Sequence, residues 1–485
     1  MTLATLGEQE YPPDDATPAT WSSAGQPRLP EHAAPLPRLL AGLAEGRSRS
    51  AGLEAHERRF GPLPLPEDAW VDATGWNLGE SGRHRRGRRS RAHHARSARR
   101  AATRLIDVAE RSGLTGRGGA GFPTGRKLRS VAEGSGPTVV VANGAEGEPA
   151  SRKDRVLLTR APHLVLDGIT LAAFAVGATR AYLAVHDELR LVAGLEATIA
   201  ARSVAGIDPV PIEVVGIEPR YTASEQTSIV QYLNGGPALP TFTPPRTHER
   251  GVAGRPTAVN NVETLAHLAL IARYGDRWFR QAGLPASPGT ALVTVSGDVA
   301  FPAVYEIELG TPVGDAVNRA GGPTERPRAV LMGGYFGTWL PAGLAWPAPM
   351  SHPGLREVGA AMGAGILIVL GESSCGLAET ARVLRYLADE GAGQCGPCIF
   401  GLPALADAMA ELAFGGDPTA ARRVAGLVRL VEGRGACRHP DGAASLASSA
   451  ISAFAPDVRW HAGRGACHGV RRPPVLPVPP DLEYW

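Results

Sequence analysis

The side chains best suited to chemistry fall in three places. Between Gly113 and Lys127 the chain reads GLTGRGGAGFPTGRK, with six glycines in the thirteen residues from 113 to 125. That many glycines expose backbone N–H groups and let a phosphate or a planar ring come close, with Arg117 and Lys127 to supply charge. The stretch holds a formal G-x-G-x-x-G at Gly116, Gly118 and Gly121. A helix precedes it where a dinucleotide fingerprint needs a strand, so a classical Rossmann site is disfavoured. Further on, VVVANGAEGEPASRKDR runs an apolar strand into Asn143, Glu146, Glu148, Lys153 and Asp154. Polar groups at the C-terminal edge of a parallel strand are where open α/β sheets hold ligands. Third come the five cysteines, Cys375, Cys395, Cys398, Cys437 and Cys467, all in the last quarter of the chain. Their clustering and the C-x-x-C point to metal or redox use in a cytosolic chain rather than to a disulfide framework.

The elements that must position these groups can be read from the pattern. Residues 1–100 form an arm, rich in Pro and Ala at first and then basic: 82–100 carries nine arginines and no acid. Such a run is usually a solvated, mobile segment, and nucleic-acid binding does not follow from it. Lys127 and Lys153 are the only lysines among the 50 basic residues, and both fall inside the motifs above. Residues 98–112 read as a helix ending at Gly113. From there to 250, strands near 138–142, 180–185 and 212–215 alternate with helices at 162–176 and 188–201, which argues for a parallel, helix-covered sheet. Residues 251–345 read as a helix over 260–274 and a small β-grasp-like module, and 370–470 as a bundle of helices near 376–390, 402–414, 418–432 and 442–454. With 485 residues, about two to four domains are expected. No uninterrupted apolar run approaches about 18 residues and the N-terminus lacks a signal-peptide plan, so the expectation is a cytoplasmic protein without membrane insertion.

Taken in order, GLTGRGGAGFPTGRK, NGAEGEP, KDR, Tyr221-x-x-x-Glu225, FTPP (242–245), GRPTAVNNVET (254–264) and GQCGPC (393–398) resemble the NADH- and FMN-binding flavoprotein subunit of respiratory complex I and its relatives in NAD-linked hydrogenases and formate dehydrogenases. The resemblance covers about residues 105–455. It implies an FMN site built from Gly116, Arg117, Gly118, Gly119, Lys127, Asn143, Glu146, Tyr221, Glu225, Val259, Asn260, Asn261 and Thr264. It also implies that Phe122 and Phe242 sandwich the adenine of NAD(H), that Glu148 contacts the ribose region, and that Glu148 and Glu225 are the carboxylates serving the reaction. Taken alone, the two phenylalanines read as core residues, and Asn260 and Asn261 as a helix cap. The implied role is electron transfer from NAD(P)H through FMN and an iron–sulfur cluster to a ferredoxin-like protein or another member of a larger complex.

The resemblance breaks at specific positions. A four-iron cluster takes four thiolates, and Ala392 stands where the first belongs, leaving Cys395, Cys398 and Cys437. A [4Fe-4S] cluster with a non-thiolate or borrowed ligand, a three-iron cluster, a zinc site and an empty site all stay open, with Cys467 and His439 as candidates for the fourth place. Cys375 is the weaker candidate, because a straight helix between it and Cys395 would hold it about 20 Å away. Ala145 replaces an Asp, Ser130 an aromatic residue, and Gln226 a carboxylate near the adenosine ribose. A flavin-only diaphorase and a scaffold that has lost flavin or cluster are the rival functions.

Overall fold

The computed structural model describes residues 88–479. Most of the N-terminal arm, including the start of the basic run, lies outside the described residues. The rest of that run is helical: α1 (Arg88–Ser112) begins ten residues before the expected start. Arginine and alanine both favour helix, and neither glycine nor proline interrupts 88–112.

Beyond α2 (Thr124–Ala132) lies a four-stranded sheet of β1 (Thr138–Gly144), β2 (Ala178–His186), β3 (Ile212–Ile217) and β4 (Thr257–Asn261), in the order β3-β2-β1-β4. Every pairing is parallel. Helices α3 (Lys153–Arg160) and α4 (Pro162–Val176) carry the crossover from β1 to β2, and α5 (Leu189–Val204) that from β2 to β3. After α6 (Gln226–Leu233), β4 returns to the opposite side of β1 and leads into α7 (Val262–Tyr274). The winding therefore reverses between β1 and β4, the place where open sheets leave a crevice. β4 corrects the sequence reading, which put Asn260 and Asn261 in a helix. The segment is short, and only its pairing partner β1 makes it a strand. Asn261 does cap the helix that follows, accepting from Glu263 N–H at 3.0 Å.

A second sheet holds β5 (Thr290–Gly297), β6 (Ala303–Glu308), β7 (Pro327–Met332), β8 (Thr338–Pro341) and β9 (Ile366–Gly371), in the order β8-β7-β9-β5-β6, with α8 (Val313–Arg319) against it. Its central strand, β9, comes from beyond the 251–345 stretch. The last layer is helical: α9 (Gly376–Asp389), α10 (Leu402–Ala410), α11 (Ala420–Val431), α12 (His439–Ala453) and α13 (Ala455–Arg464). By length and composition Pro397–Gly415 could span a bilayer. Within it, Leu402, Leu405, Ala406, Met409 and Leu412 are buried in the bundle core.

A buried charge network joins the first two layers. Lys153 Nζ lies 2.6 Å from Asp154 and 2.9 Å from Glu263, and 3.3 Å from Asn261 Oδ1. Asn261 Nδ2 donates to Asp154 at 2.6 Å. Glu263 accepts from Leu292 N–H at 2.8 Å in β5, and Arg117 Nε is 4.0 Å from it. Burial alone would lift the Glu263 pKa, but Lys153, His267 and Arg117 overcome it and hold the carboxyl at about 2. Removing one member of such a set leaves an uncompensated buried charge, at a cost of about 3–5 kcal/mol. Lys153→Met is accordingly expected to lower the denaturant midpoint steeply and the unfolding free energy by about 3 kcal/mol or more. A loss under about 1 kcal/mol, the range of an exposed pair, would show that the network does not hold the layers.

Candidate functional site

The glycine loop and the C-terminal ends of β1 and β4 meet at the crevice. The loop is closed by Gly116 N–H to Phe122 O at 2.9 Å, and Gly119 turns it at φ 107°, a conformation that strains any other residue. Asn143 sits opposite Asn261 in the sheet register. Asn143 Nδ2 donates to Ser224 O at 2.9 Å, which ties β1 to the 3₁₀ turn Tyr221–Ser224. Lys127 reaches across to Val259 O at 2.8 Å, and burial pulls its pKa below the usual lysine value.

Several expected ligands make contacts that build the frame. The Arg117 side chain points inward, donating to Thr290 O at 2.9 Å and Thr115 O at 2.9 Å, and its backbone N–H goes to Thr264 Oγ1 at 2.9 Å. The charge expected from Arg117 at the loop surface is thus spent beneath it. Glu146 takes the backbone N–H groups of Asp154 and Arg155 at 3.1 and 3.2 Å, together with the Ser151 hydroxyl, and so fixes the start of α3. Glu225 caps α6 through Thr227 N–H at 2.7 Å and Ser228 N–H at 3.3 Å. Phe122 and Phe242 are not core residues: they are 43% and 71% exposed.

Glu148 is a strongly perturbed carboxyl at the crevice. One oxygen accepts from the Tyr221 hydroxyl at 2.9 Å and from Tyr335 N–H at 2.8 Å. Its other oxygen is buried without a partner, as is Asn260 Nδ2. Burial pushes the Glu148 pKa up to about 7 against those hydrogen bonds. Two orphaned polar atoms beside a glycine cradle fit a polar, phosphate-bearing group such as FMN, which would give them partners. Sequence reasoning does not find Tyr335, since nothing local in RAVLMGGYFGTW marks a backbone N–H that holds a carboxylate 187 residues away.

Tyr221 links this crevice to the cysteines. Its ring lies 4.8 Å from Phe336, 5.6 Å from His439 and 5.9 Å from Tyr386, and its N–H donates to Glu390 at 2.7 Å. Cys395 and Cys437 stand close enough to Cys398 to add to the effect of burial, which pushes its thiol up to about 12. The Glu225 carboxylate acts on Cys437 in the same sense, after burial. Cys395 and Cys437 thus lie in the neighbourhood of Cys398, although the three sulfurs are not drawn together as closely as the donor atoms of Cys375, His461 and Cys467. Three thiols suit an iron–sulfur cluster with one position held by another group. His439 has a buried Nδ1 without a partner, while its Nε2 lies 2.6 Å from Leu387 O. Cys467, the other sequence candidate for that place, lies with Cys375 and His461 instead.

The raised Glu148 pKa makes a pH prediction for the flavin-free protein. Between the ordinary carboxyl value and about 7 the folded state holds a proton that the unfolded state releases, so this group's contribution to stability falls as pH rises through that window. Glu148→Gln should remove that component: the difference in melting temperature between variant and parent changes from pH 5 to pH 8. A constant difference would show that the carboxyl is not perturbed.

Residues 109–270 match the Nuo51 FMN-binding domain, 292–334 the SLBB domain, and 369–461 the NADH-ubiquinone oxidoreductase-F iron-sulfur binding region. The NADH-quinone oxidoreductase F 2 subunit of Rhizobium meliloti (strain 1021) is 31% identical over 378 residues, covering 75% of this chain and 90% of the relative. The NADH-quinone oxidoreductase F protein of Streptomyces coelicolor is also 31% identical, over 74% of this chain and 84% of its own. Among solved structures, a chain of the NAD+-reducing [NiFe]-hydrogenase in its H2-reduced state superposes with a TM-score of 0.69 at 30% identity, covering 85% of this chain and 72% of that one. The crevice at the sheet's switch point, the adjoining cysteines and these matches agree, and the chain belongs to the NADH-quinone oxidoreductase F family.

Proposed function

We propose that this chain oxidises NADH through FMN and passes the electrons by way of an iron–sulfur cluster to a separate protein. The observation that carries the reading is the reach of Tyr221 from the crevice toward the cysteines: it touches Glu148 on one side and, on the other, His439, two residues after Cys437. FMN, when bound, supplies hydride acceptance and one-electron release. The protein's part is position and electrostatics. Gly116, Gly118, Gly119 and Lys127 would hold the flavin with Asn143, Val259, Asn260 and Asn261, and Asn260 Nδ2 would donate to it. Glu148, able to keep its proton near neutral pH, would donate from its unpartnered oxygen to the ribose end of the dinucleotide. Phe122 and Phe242 are free to receive the adenine face to face, as exposed aromatic rings can. Arg117, Glu146, Glu225 and Thr264 act as positioning residues, through the frame described above.

Cys395, Cys398 and Cys437 would hold the cluster, and His439, with its unpartnered Nδ1, is the non-thiolate candidate for the place vacated at Ala392. The exposed Ile399 and Phe400, next in sequence to Cys398, mark the face an acceptor protein would approach. A cytoplasmic location follows from the substrate. The exposed Gln226 stands where a carboxylate would repel a 2′-phosphate, so NADPH is accepted as well as NADH.

The experiment is anaerobic stopped-flow reduction of the bound flavin. NADH should bleach it fully, with a preference over NADPH of less than about 100-fold that Gln226→Glu widens. Phe242→Ala should raise the NADH concentration at half-maximal rate about tenfold while leaving the limiting rate within about twofold, since it removes stacking and not chemistry. A protein that stays colourless after added FMN would refute the function, and a preference above about 100-fold would refute the relaxed specificity alone.

A further inference from the structure

We propose that Cys375, His461 and Cys467 form a zinc site, distinct from the three cysteines of the electron path, that clasps the C-terminal segment to the helical bundle. The donor atoms of the three residues all lie within 4.8 Å of one another. Cys375 Sγ is 3.8 Å from His461 Nε2. A tetrahedral zinc with Zn–S of about 2.3 Å and Zn–N of about 2.0 Å sets sulfur and nitrogen about 3.5 Å apart and two sulfurs about 3.8 Å apart, so a small closure completes the geometry. Cys375 and His461 are buried and Cys467 is half-buried, which leaves the fourth position open toward solvent for a water.

The surroundings prepare these residues as ligands. His461 Nδ1 lies 3.2 Å from Leu412 O, and a carbonyl only accepts, so the ring proton sits on Nδ1 and Nε2 turns a lone pair toward the sulfurs. Ligating histidines are characteristically fixed in this way. Cys467 N–H donates to that Nε2 at 3.2 Å, which confirms its unprotonated state and is the bond the metal would replace. Cys375 stands at the N-cap of α9, where the positive end of the helix opposes the burial that otherwise pushes its thiol up to about 12. On binding, Zn2+ takes the place of two thiol protons, which pass to solvent; no electron moves.

The clasp has something to hold. A Cβ on Gly469 would come within 2.9 Å of Cys375 N and Ser373 O, so the segment lies against the start of α9 as closely as backbone can. Beyond it, Val475 and Leu476 N–H donate to Glu379 at 3.1 and 2.9 Å, and Pro477 O accepts from the Tyr335 hydroxyl. Tyr335 is the residue whose N–H holds Glu148. A metal at Cys467 would thus anchor the strap that closes over Tyr335.

The test is elemental analysis of the purified full-length protein carrying its flavin and iron. We expect about one zinc per chain after dialysis, falling below about a tenth in Cys467→Ser and in His461→Gln with flavin and iron contents unchanged. In Cys398→Ser the iron should fall and the zinc should stay. X-ray absorption at the zinc edge of the unaltered protein should show two sulfur ligands and a nitrogen, a readout that survives misfolding of either variant. Chelation should expose residues 465–479 to proteolysis. The proposal is overturned by a protein that neither contains zinc nor takes it up, by zinc that persists in Cys467→Ser, or by a Cys375–Cys467 disulfide found on peptide mapping.

Discussion

The arrangement depends on burying a lysine among carboxylates. Lys153 opens α3, directly after the acidic loop, and its ammonium is shared by Asp154, from its own helix, and Glu263, from the first turn of α7. Burial works against its charge, but Asp154, Glu263 and Glu146 together more than restore it, so the ammonium stays protonated. The same Glu263 accepts from β5 and faces Arg117, so one carboxylate orients the glycine loop, the β4–α7 junction and the second sheet. A buried set of this kind adds little to net stability over apolar packing, but it tolerates few alternative geometries. The crevice above it inherits that precision.

The second constraint is the turn at Tyr221. It belongs by sequence to the α/β layer, yet its N–H is held by Glu390 after α9 and its ring packs against His439 at the start of α12. The turn is also fixed by Asn143 at the end of β1. The crevice is thereby joined to the helical layer that carries the cysteines through one short segment, whose ring sits among packed aromatic side chains. Phe336, from the turn between β7 and β8 of the second sheet, closes the same cluster, so all three layers contribute to it.

Much of this is legible in the sequence. The strand–helix alternation of 138–217 and the first four helices of the last layer follow from periodicity, α13 being unexpected, and α4 matches its expected bounds. Ligand candidates are legible by type: glycines, the Asn–Glu loop and the C-x-x-C all lie where the crevice and the neighbouring cysteines are found. What is not legible is direction. Glu146 and Glu225 spend their oxygens on helix starts within nine residues of themselves, so those contacts are local. Nothing local says that Arg117 turns inward to Thr290, 173 residues away, or that Phe122 and Phe242 are exposed. β4 escapes notice for the same reason, being five residues whose strand character comes from pairing with β1. The grouping of Cys375, His461 and Cys467 likewise needs the bundle to be folded before the three residues meet.

The central claim is that electrons leave the crevice through the three remaining cysteines in spite of Ala392. Its most direct test is an electron paramagnetic resonance spectrum of the protein reduced by NADH under argon, with iron and labile sulfide measured on the same sample. The account predicts a paramagnetic iron–sulfur signal that grows in with NADH and is lost in Cys437→Ser while the flavin still bleaches. Bleached flavin in a protein without iron, or a cluster that dithionite reduces and NADH does not, would contradict it.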